Sequence, residues 1–310
     1  MKKSCPKVAI YYDWINQWGG AEQVLLDILK IFPQAEILTL FYKKQTWLPK
    51  NIKIITPPFS LKKYDLVIST TSYFGYLINA DVYYFHNINR YLFNTPIKYL
   101  DRLLIKKNKI YLCNSKNVQK RIKQHLNLAA TVVYPGIDTN KFIPIQNPTL
   151  DYFLCVSRLV PYKNIDKALL SCQKLKQKLL VVGTGRQEKY LKSLVSSKYI
   201  TFTGKVSPDK ILSYYQNCKA LICPQIEDFG LAALESQSCG RPVIALAKGG
   251  NLETVNPKTG LLYQKNLTQA IHSFNPNDFD PKICRQHALR FSKTKFMLNF
   301  KNACSKKIII

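Results

Sequence analysis

Twelve short runs rich in β-branched and aromatic residues, six in each half of the chain, are separated by longer amphipathic stretches. In the first half the runs are 7–12 (KVAIYY), 35–41 (AEILTLF), 65–69, 82–85 (VYYF), 109–114 and 131–135. In the second they are 151–157, 178–183 (KLLVVG), 200–204, 220–224 (ALICP), 241–246 and 260–263. Runs apolar on both sides of the strand suit a sheet covered on both faces, and helical stretches between strands suit parallel βαβ crossovers. The pattern therefore predicts an α/β fold. At 310 residues the chain exceeds one ordinary domain, and each half opens on a buried strand. Residues 142–150 (FIPIQNPTL) carry Pro144 and Pro148, which resist helix and central strand, and form the best linker. The reading is a first Rossmann-like domain over 1–145 and a second over 146–284, facing each other across a cleft, with a helical stretch at the end of the chain.

Composition narrows the function classes. Hydrophobic residues make up 46% and charged residues 21%, a globular balance, and no apolar run reaches the ~18 residues of a membrane span. The opening MKKSCPKVAIYYDWI reads as a first strand and not as a secretory leader. The nine cysteines lack any CxxC pair and read as buried thiols of a reducing compartment, which points to the cytoplasm. The net charge of +28 divides almost evenly, with 21 Lys/Arg against 8 Asp/Glu in residues 1–150 and 25 against 10 in 151–310. Residues 98–123 are denser, with nine basic residues and only Asp101 against them. That stretch suits a solvated helix face, or an anionic membrane surface on which the protein sits peripherally. No nucleic-acid motif accompanies it, so nucleic acid is not expected as a partner.

Five segments carry chemistry. Trp18-Gly19-Gly20-Ala21-Glu22 follows the first strand and opens a helix, where glycines and free N–H groups suit a phosphate, although a tight strand–helix turn explains it as well. Arg158 and Lys163 follow the first strand of the second domain, at a carboxyl end where open α/β sheets bind ligands. Two cations there suit a diphosphate, and plain surface charge is the alternative. Gly183-Thr184-Gly185 is a glycine loop suited to the close approach of a nucleoside. In 224–245, Glu227, Asp228, Phe229 and Gly230 lead into a helix that begins at Leu231 and carries Glu235. Its N-terminus offers free N–H groups, and its two carboxylates suit sugar and ribose hydroxyls. His86 closes the strand VYYF and is followed by Arg90 and Tyr91. It can bond a substrate or move a proton, or be a packed, satisfied histidine. Asp278-Phe279-Asp280 has the DxD form of a metal site but lies in a loop far from these strands, so no metal is expected.

Taken in order, WGGAEQVLLDIL, YFHNINRYLF, LCNSKNVQKRI, VVYPGIDTNKF, VSRLVPYKNIDKAL, VVGTGRQEKYLK, EDFGLAALESQSCGRPVIA and GGNLETV resemble glycosyltransferase family 4 over nearly the whole length. The look is most like the mannosyltransferases of bacterial polysaccharide assembly. The resemblance implies the GT-B fold, a retaining transfer of a hexose and no metal or other cofactor. It implies a nucleoside diphosphate sugar donor, GDP-mannose first, and a saccharide or lipid-linked acceptor. Arg158 and Lys163 would hold the diphosphate, Glu235 the ribose, and Glu227 with the backbone of 228–231 the transferred sugar. Gly183 and Gly185 would line the nucleoside, Gly19 and Gly20 would approach the phosphates from the other domain, and His86 would line the sugar or acceptor side. Residues 285–310 would form a helix crossing back to the first domain. The chain departs from the family where His86-Asn87-Ile88 replaces His-Thr-Pro and where Thr184 replaces a frequent Asp. Residues 91–114 are shorter than is usual for the family. A sugar-nucleotide epimerase of the same fold and a non-catalytic basic binding protein are the other functions the sequence leaves open.

Overall fold

A computed structural model describes residues 6–70, 78–88, 105, 108–195 and 198–305. Its strands in chain order are β1 Val8–Tyr11, β2 Trp14–Ile15, β3 Glu36–Leu38, β4 Phe41–Tyr42, β5 Ile54–Ile55, β6 Leu66–Ser69, β7 Val82–Phe85, β8 Ile110–Cys113 and β9 Thr131–Val132. They continue with β10 Tyr152–Val156, β11 Leu179–Val182, β12 Ile200–Gly204, β13 Cys218–Cys223, β14 Val243–Leu246 and β15 Gly260–Tyr263. Two compact units result, one made of 1–136 with 293–310 and the other of 137–292.

The first unit holds a seven-stranded sheet in the order β5-β3-β1-β6-β7-β8-β9, with every pair parallel. Alternate side chains of β1 serve two cores, as the two-residue period of a strand requires. Val8 and Ile10 pack with the helix Gly20–Ile31 on one face, while Ala9 and Tyr11 pack with Val118 and Ile122 of the helix Lys116–Leu126 on the other. The end of the chain completes this unit. Helix Lys293–Cys304 buries Phe296, Phe300 and Cys304, four residues apart on one stripe, against the first core, where Phe296 and Phe300 meet the ring of Tyr84.

The second unit holds a six-stranded sheet in the order β12-β11-β10-β13-β14-β15, also wholly parallel. Phe153 and Cys155 of β10 face helices Ile165–Lys174 and Leu267–His272, and Leu154 faces Tyr215 and the helix Leu231–Ser238. All eight cysteines among the described residues are buried free thiols. Burial pushes the Cys155 thiol up to about 12, so it packs as a small hydrophobe.

The structure redraws three sequence expectations. The first division falls at 136/137 and not at 145/146, because Phe142 is already part of the second unit's core. The second falls at 292/293 and not at 284/285. Helix Pro281–Leu289 buries Cys284 and Ala288, and the Arg285 guanidinium bonds the carbonyls of Thr139, Phe142 and Ser238 in the second unit. The run 35–41 is not one strand. After β3 the Leu40 N–H donates to the Asp13 carbonyl at 3.1 Å and the Thr39 hydroxyl bonds the same oxygen. The chain so diverted pairs β4 with β2 in a separate two-stranded parallel ladder.

Candidate functional site

Strand order reverses at β10, which has β11 on one side and β13 on the other. The connections leaving β10 and β13 at their carboxyl ends run to opposite faces there, opening the crevice in which open α/β sheets bind ligands. The loop after β10 carries Arg158 and Lys163, and the loop after β13 carries Glu227. The topology thus brings together residues 64 positions apart: Lys163 Nζ donates to Glu227 Oε1 at 2.7 Å, with the side chains 14% and 20% exposed. Burial works to lower the lysine pKa, but the facing carboxylate outweighs it and holds Lys163 above its ordinary value. Arg158 lies on the same loop, exposed, with Nη2 donating to the Tyr162 hydroxyl at 2.6 Å.

The carboxylate is held from below. Gln225 Nε2 donates to the same Oε1 that Lys163 occupies, and the Gly250 N–H donates to the Glu227 carbonyl at 2.7 Å. A Cβ on Gly250 would stand 2.5 Å from Phe229 Cα, so glycine is required for the 249–250 turn to lie this close under the 227–229 loop. Gly230, at φ +109, then turns the chain into helix Leu231–Ser238. The Phe229 side chain is buried against Phe291. Glu235, one turn into the helix, accepts from the buried Tyr215 hydroxyl at 2.9 Å. Arg158, Lys163, Glu227, Asp228, Leu231 and Glu235 therefore all belong to two loops and one helix at the switch point.

Gly183 and Gly185 join this region for a different reason. A Cβ on Gly183 would stand 1.9 Å from the Ser157 carbonyl oxygen, and one on Gly185 would stand 2.3 Å from that of Leu159. The Leu159 N–H donates to the Thr184 carbonyl at 2.9 Å and the Gln187 N–H to the Leu159 carbonyl at 3.0 Å. Both glycines let one backbone lie on another, and the backbone they support is the segment that presents Arg158.

Gly19, Gly20 and His86 lie in the first unit. Gly20 begins helix Gly20–Ile31, and Glu22 in its first turn is buried and accepts from Tyr12 Oη at 2.7 Å. His86 is buried at the end of β7, with Nε2 2.7 Å from Thr70 Oγ1 and its carbonyl accepting from Asn114 Nδ2 at 2.7 Å. Burial lowers its pKa to about 4, so the ring is neutral at neutral pH and acts there as a hydrogen-bonding group. Arg90 and Tyr91 lie outside the described residues, as do Lys98, Arg102, Lys106 and Lys107 of the basic stretch. Within the rest of that stretch, Lys116, Lys120 and Lys123 form an exposed stripe opposite buried Val118, Ile122 and Leu126.

Asp278 and Asp280 both have structural partners: Asn275 Nδ2 donates to Asp278, and Asp280 accepts from the Lys282 N–H at the start of helix Pro281–Leu289. Among the described residues no group of three His, Cys, Asp or Glu side chains is placed to hold a metal ion.

Gln225, Tyr215 and Gly249-Gly250 were not anticipated. Gln225 stands two positions before Glu227, a spacing that puts alternate side chains of an extended chain on one side, so its contact was readable. Tyr215 reaches Glu235 from another helix, which nothing local announces.

Residues 136–274 match the family model described as glycosyl transferases group 1. This part of the chain is similar to that family. The matched region contains every residue of the Lys163–Glu227–Glu235 site. Among similar proteins, an uncharacterised glycosyltransferase of Methanocaldococcus jannaschii is 30% identical over 177 residues, covering 56% of this chain and 48% of the relative. A protein of Corynebacterium glutamicum, named as a GDP-mannose-dependent monoacylated alpha-(1-6)-phosphatidylinositol monomannoside mannosyltransferase, is 29% identical over 157 residues. That match covers 42% of this chain and 41% of the relative. The chain thus spans about half the length of the curated relatives it matches. In solved structures, Anabaena HepE in complex with UDP and glucose superposes with a TM-score of 0.81 at 19% identity, over 97% of this chain and 100% of that one. The fold is GT-B, two Rossmann-like parallel-sheet units.

Proposed function

We propose that the protein is a retaining hexosyltransferase that moves a sugar from a nucleoside diphosphate donor to a saccharide or lipid-linked acceptor. The observation that carries the reading is the pairing of Lys163 with Glu227 at the switch point of the second sheet, with Arg158 on the same loop as Lys163 and Glu235 one turn into the helix that follows Glu227. Arg158 and Lys163 bind the diphosphate and neutralise the charge that collects on it as its bond to the sugar breaks. Glu227 and the backbone of 228–231 hold the transferred sugar, and Glu235 takes the ribose hydroxyls. Gly183 and Gly185 shape the loop beside the nucleoside. The acceptor hydroxyl attacks from the face that the phosphate leaves, and the departing phosphate oxygen takes its proton, so configuration is retained. His86, neutral in its pocket, contributes a hydrogen bond on the sugar or acceptor side.

GDP-mannose is the donor we propose first, supported by the mannosyltransferase named in C. glutamicum. No metal is assigned to donor binding, since the two cations already meet the diphosphate. The basic stripe Lys116, Lys120 and Lys123 supports peripheral attraction to an anionic membrane on the cytoplasmic side, where a lipid-linked acceptor would be met.

Thermal-shift screening against a donor panel, with GDP-mannose and UDP-glucose among its members, tests the donor. A bound donor raises the melting temperature in proportion to the logarithm of its concentration over Kd. Nucleoside diphosphate release in the presence of an acceptor tests transfer. Neither binding nor release with any donor sinks the reading, and so does unimpaired turnover by both Arg158→Ala and Glu235→Ala. Interconversion of a donor without an acceptor, seen by proton NMR, would replace transfer by epimerisation.

A further inference from the structure

The ladder formed by β2 and β4 stands apart from both main sheets and carries a group of aromatic side chains. The Trp14 and Phe41 rings lie 6.1 Å apart, and the Trp18 and Trp47 rings 5.4 Å apart. Ile15 of the ladder is buried in the first unit's core, whereas Phe41 is 64% exposed, Trp18 46% and Tyr42 44%. Lys43, Lys44 and Lys50 are exposed alongside. From residue 37 to residue 64 the chain has six lysines and no Asp or Glu. Lys53 and Lys63 bond Glu36, at the edge of that segment.

We propose that this ladder is a membrane-contact surface, whose aromatic side chains enter the headgroup layer of an anionic bilayer while the lysines around them meet lipid phosphates. Tryptophan and tyrosine favour that layer because one part of the ring system is apolar and another forms hydrogen bonds. Lysines beside them add attraction to an anionic surface. The exposed stripe of helix Lys116–Leu126 holds lysines without an apolar residue between them, so it attracts but does not insert. A charged patch and an inserting patch together supply the two signals that stable peripheral binding takes. A strand-adding peptide is a poorer occupant, because each ladder strand is two residues long and offers almost no edge to pair with. The proposal extends the reading of a lipid-linked acceptor but does not depend on it, since vesicle binding is measured without donor or acceptor.

Of the chain's three tryptophans, Trp14 stands in the ladder against Phe41, and Trp18 and Trp47 pair with each other in the segments that flank it, so intrinsic emission reports on this part of the chain. The protein is titrated with vesicles of phosphatidylcholine alone and with 30% phosphatidylglycerol, with and without lipids brominated along the acyl chain. Co-sedimentation, a blue shift and bromine quenching with the anionic vesicles only are expected. Phe41→Ser/Tyr42→Ser should weaken anionic-vesicle binding by roughly tenfold or more with an unchanged melting temperature and an unchanged donor thermal shift. Lys116→Gln/Lys120→Gln/Lys123→Gln should weaken binding but keep the blue shift at saturating lipid. Sedimentation without any change in tryptophan emission would overturn the proposal, as would absence of binding. An equal emission change with a soluble oligosaccharide or a single-stranded oligonucleotide would assign the surface to that ligand instead.

Discussion

Replacing Gly183 by alanine separates two readings of the glycine loop. If glycine is there to admit a nucleoside, the free variant should be as stable as the wild type and only donor affinity should fall. The structure requires otherwise. The added Cβ would stand 1.9 Å from the Ser157 carbonyl oxygen. A relaxed C···O contact is about 3.3 Å, so one of the two backbones must move by roughly 1.4 Å. Gly183 also has φ +133, a conformation that holds an alanine at a cost of about 1–3 kcal/mol. Forcing the extra atom into a packed site adds about 1–3 kcal/mol, so the sum centres on about 4 kcal/mol. Calorimetric melting of the protein without donor should drop by roughly 8–16 °C, at about 2–4 °C per kcal/mol for a unit of this size. Donor affinity should fall as well, because the displaced segment 157–159 presents Arg158. A free variant within about 1 kcal/mol of wild type in urea unfolding would refute the packing argument and restore the nucleoside one.

Three further outcomes follow from the site geometry. Lys163→Met leaves the Glu227 carboxylate with the Gln225 amide and without its cation, and should cost about 2 kcal/mol by urea unfolding, between an exposed pair and a fully buried one. Because Glu227 holds the lysine above its ordinary 10.5, the stability linked to that shift is present through the neutral range and is lost as pH rises from the ordinary value through the raised one. Tyr215→Phe removes the hydrogen bond to Glu235 and should weaken donor binding by roughly three- to tenfold, the worth of about one hydrogen bond, as read by calorimetric titration. His86, lowered from 6.5 to about 4 by burial, takes up its proton more readily in the unfolded chain. Stability should therefore fall on acidification from pH 6.5 to 4, by about 3 kcal/mol at most. Unfolding midpoints across that range should lose part of this slope in His86→Gln, and an identical slope in the variant would exclude His86 as its source.

The sequence by itself determined the parallel α/β architecture, because strands buried on both faces and amphipathic helices each announce themselves over a few neighbouring residues. All twelve apolar runs contain a strand, and the last four of the eight glycosyltransferase-like segments lie wholly inside the family match over 136–274. It also placed Arg158, Lys163 and Glu227 in the loops that follow strands, and Glu235 one turn into the next helix, where chain direction alone makes them candidates. Tertiary structure decided what sequence spacing does not contain. The reversal of strand order at β10 joins Lys163 to Glu227 and brings in Gln225, and helix packing brings Tyr215 to Glu235. It moved both unit boundaries, since Phe142 and Arg285 are committed by long-range contacts that outweigh the local linker signal. It also split the run 35–41 and set its second part beside Trp14. An apolar run states that it will be buried or paired; only the folded chain states with what.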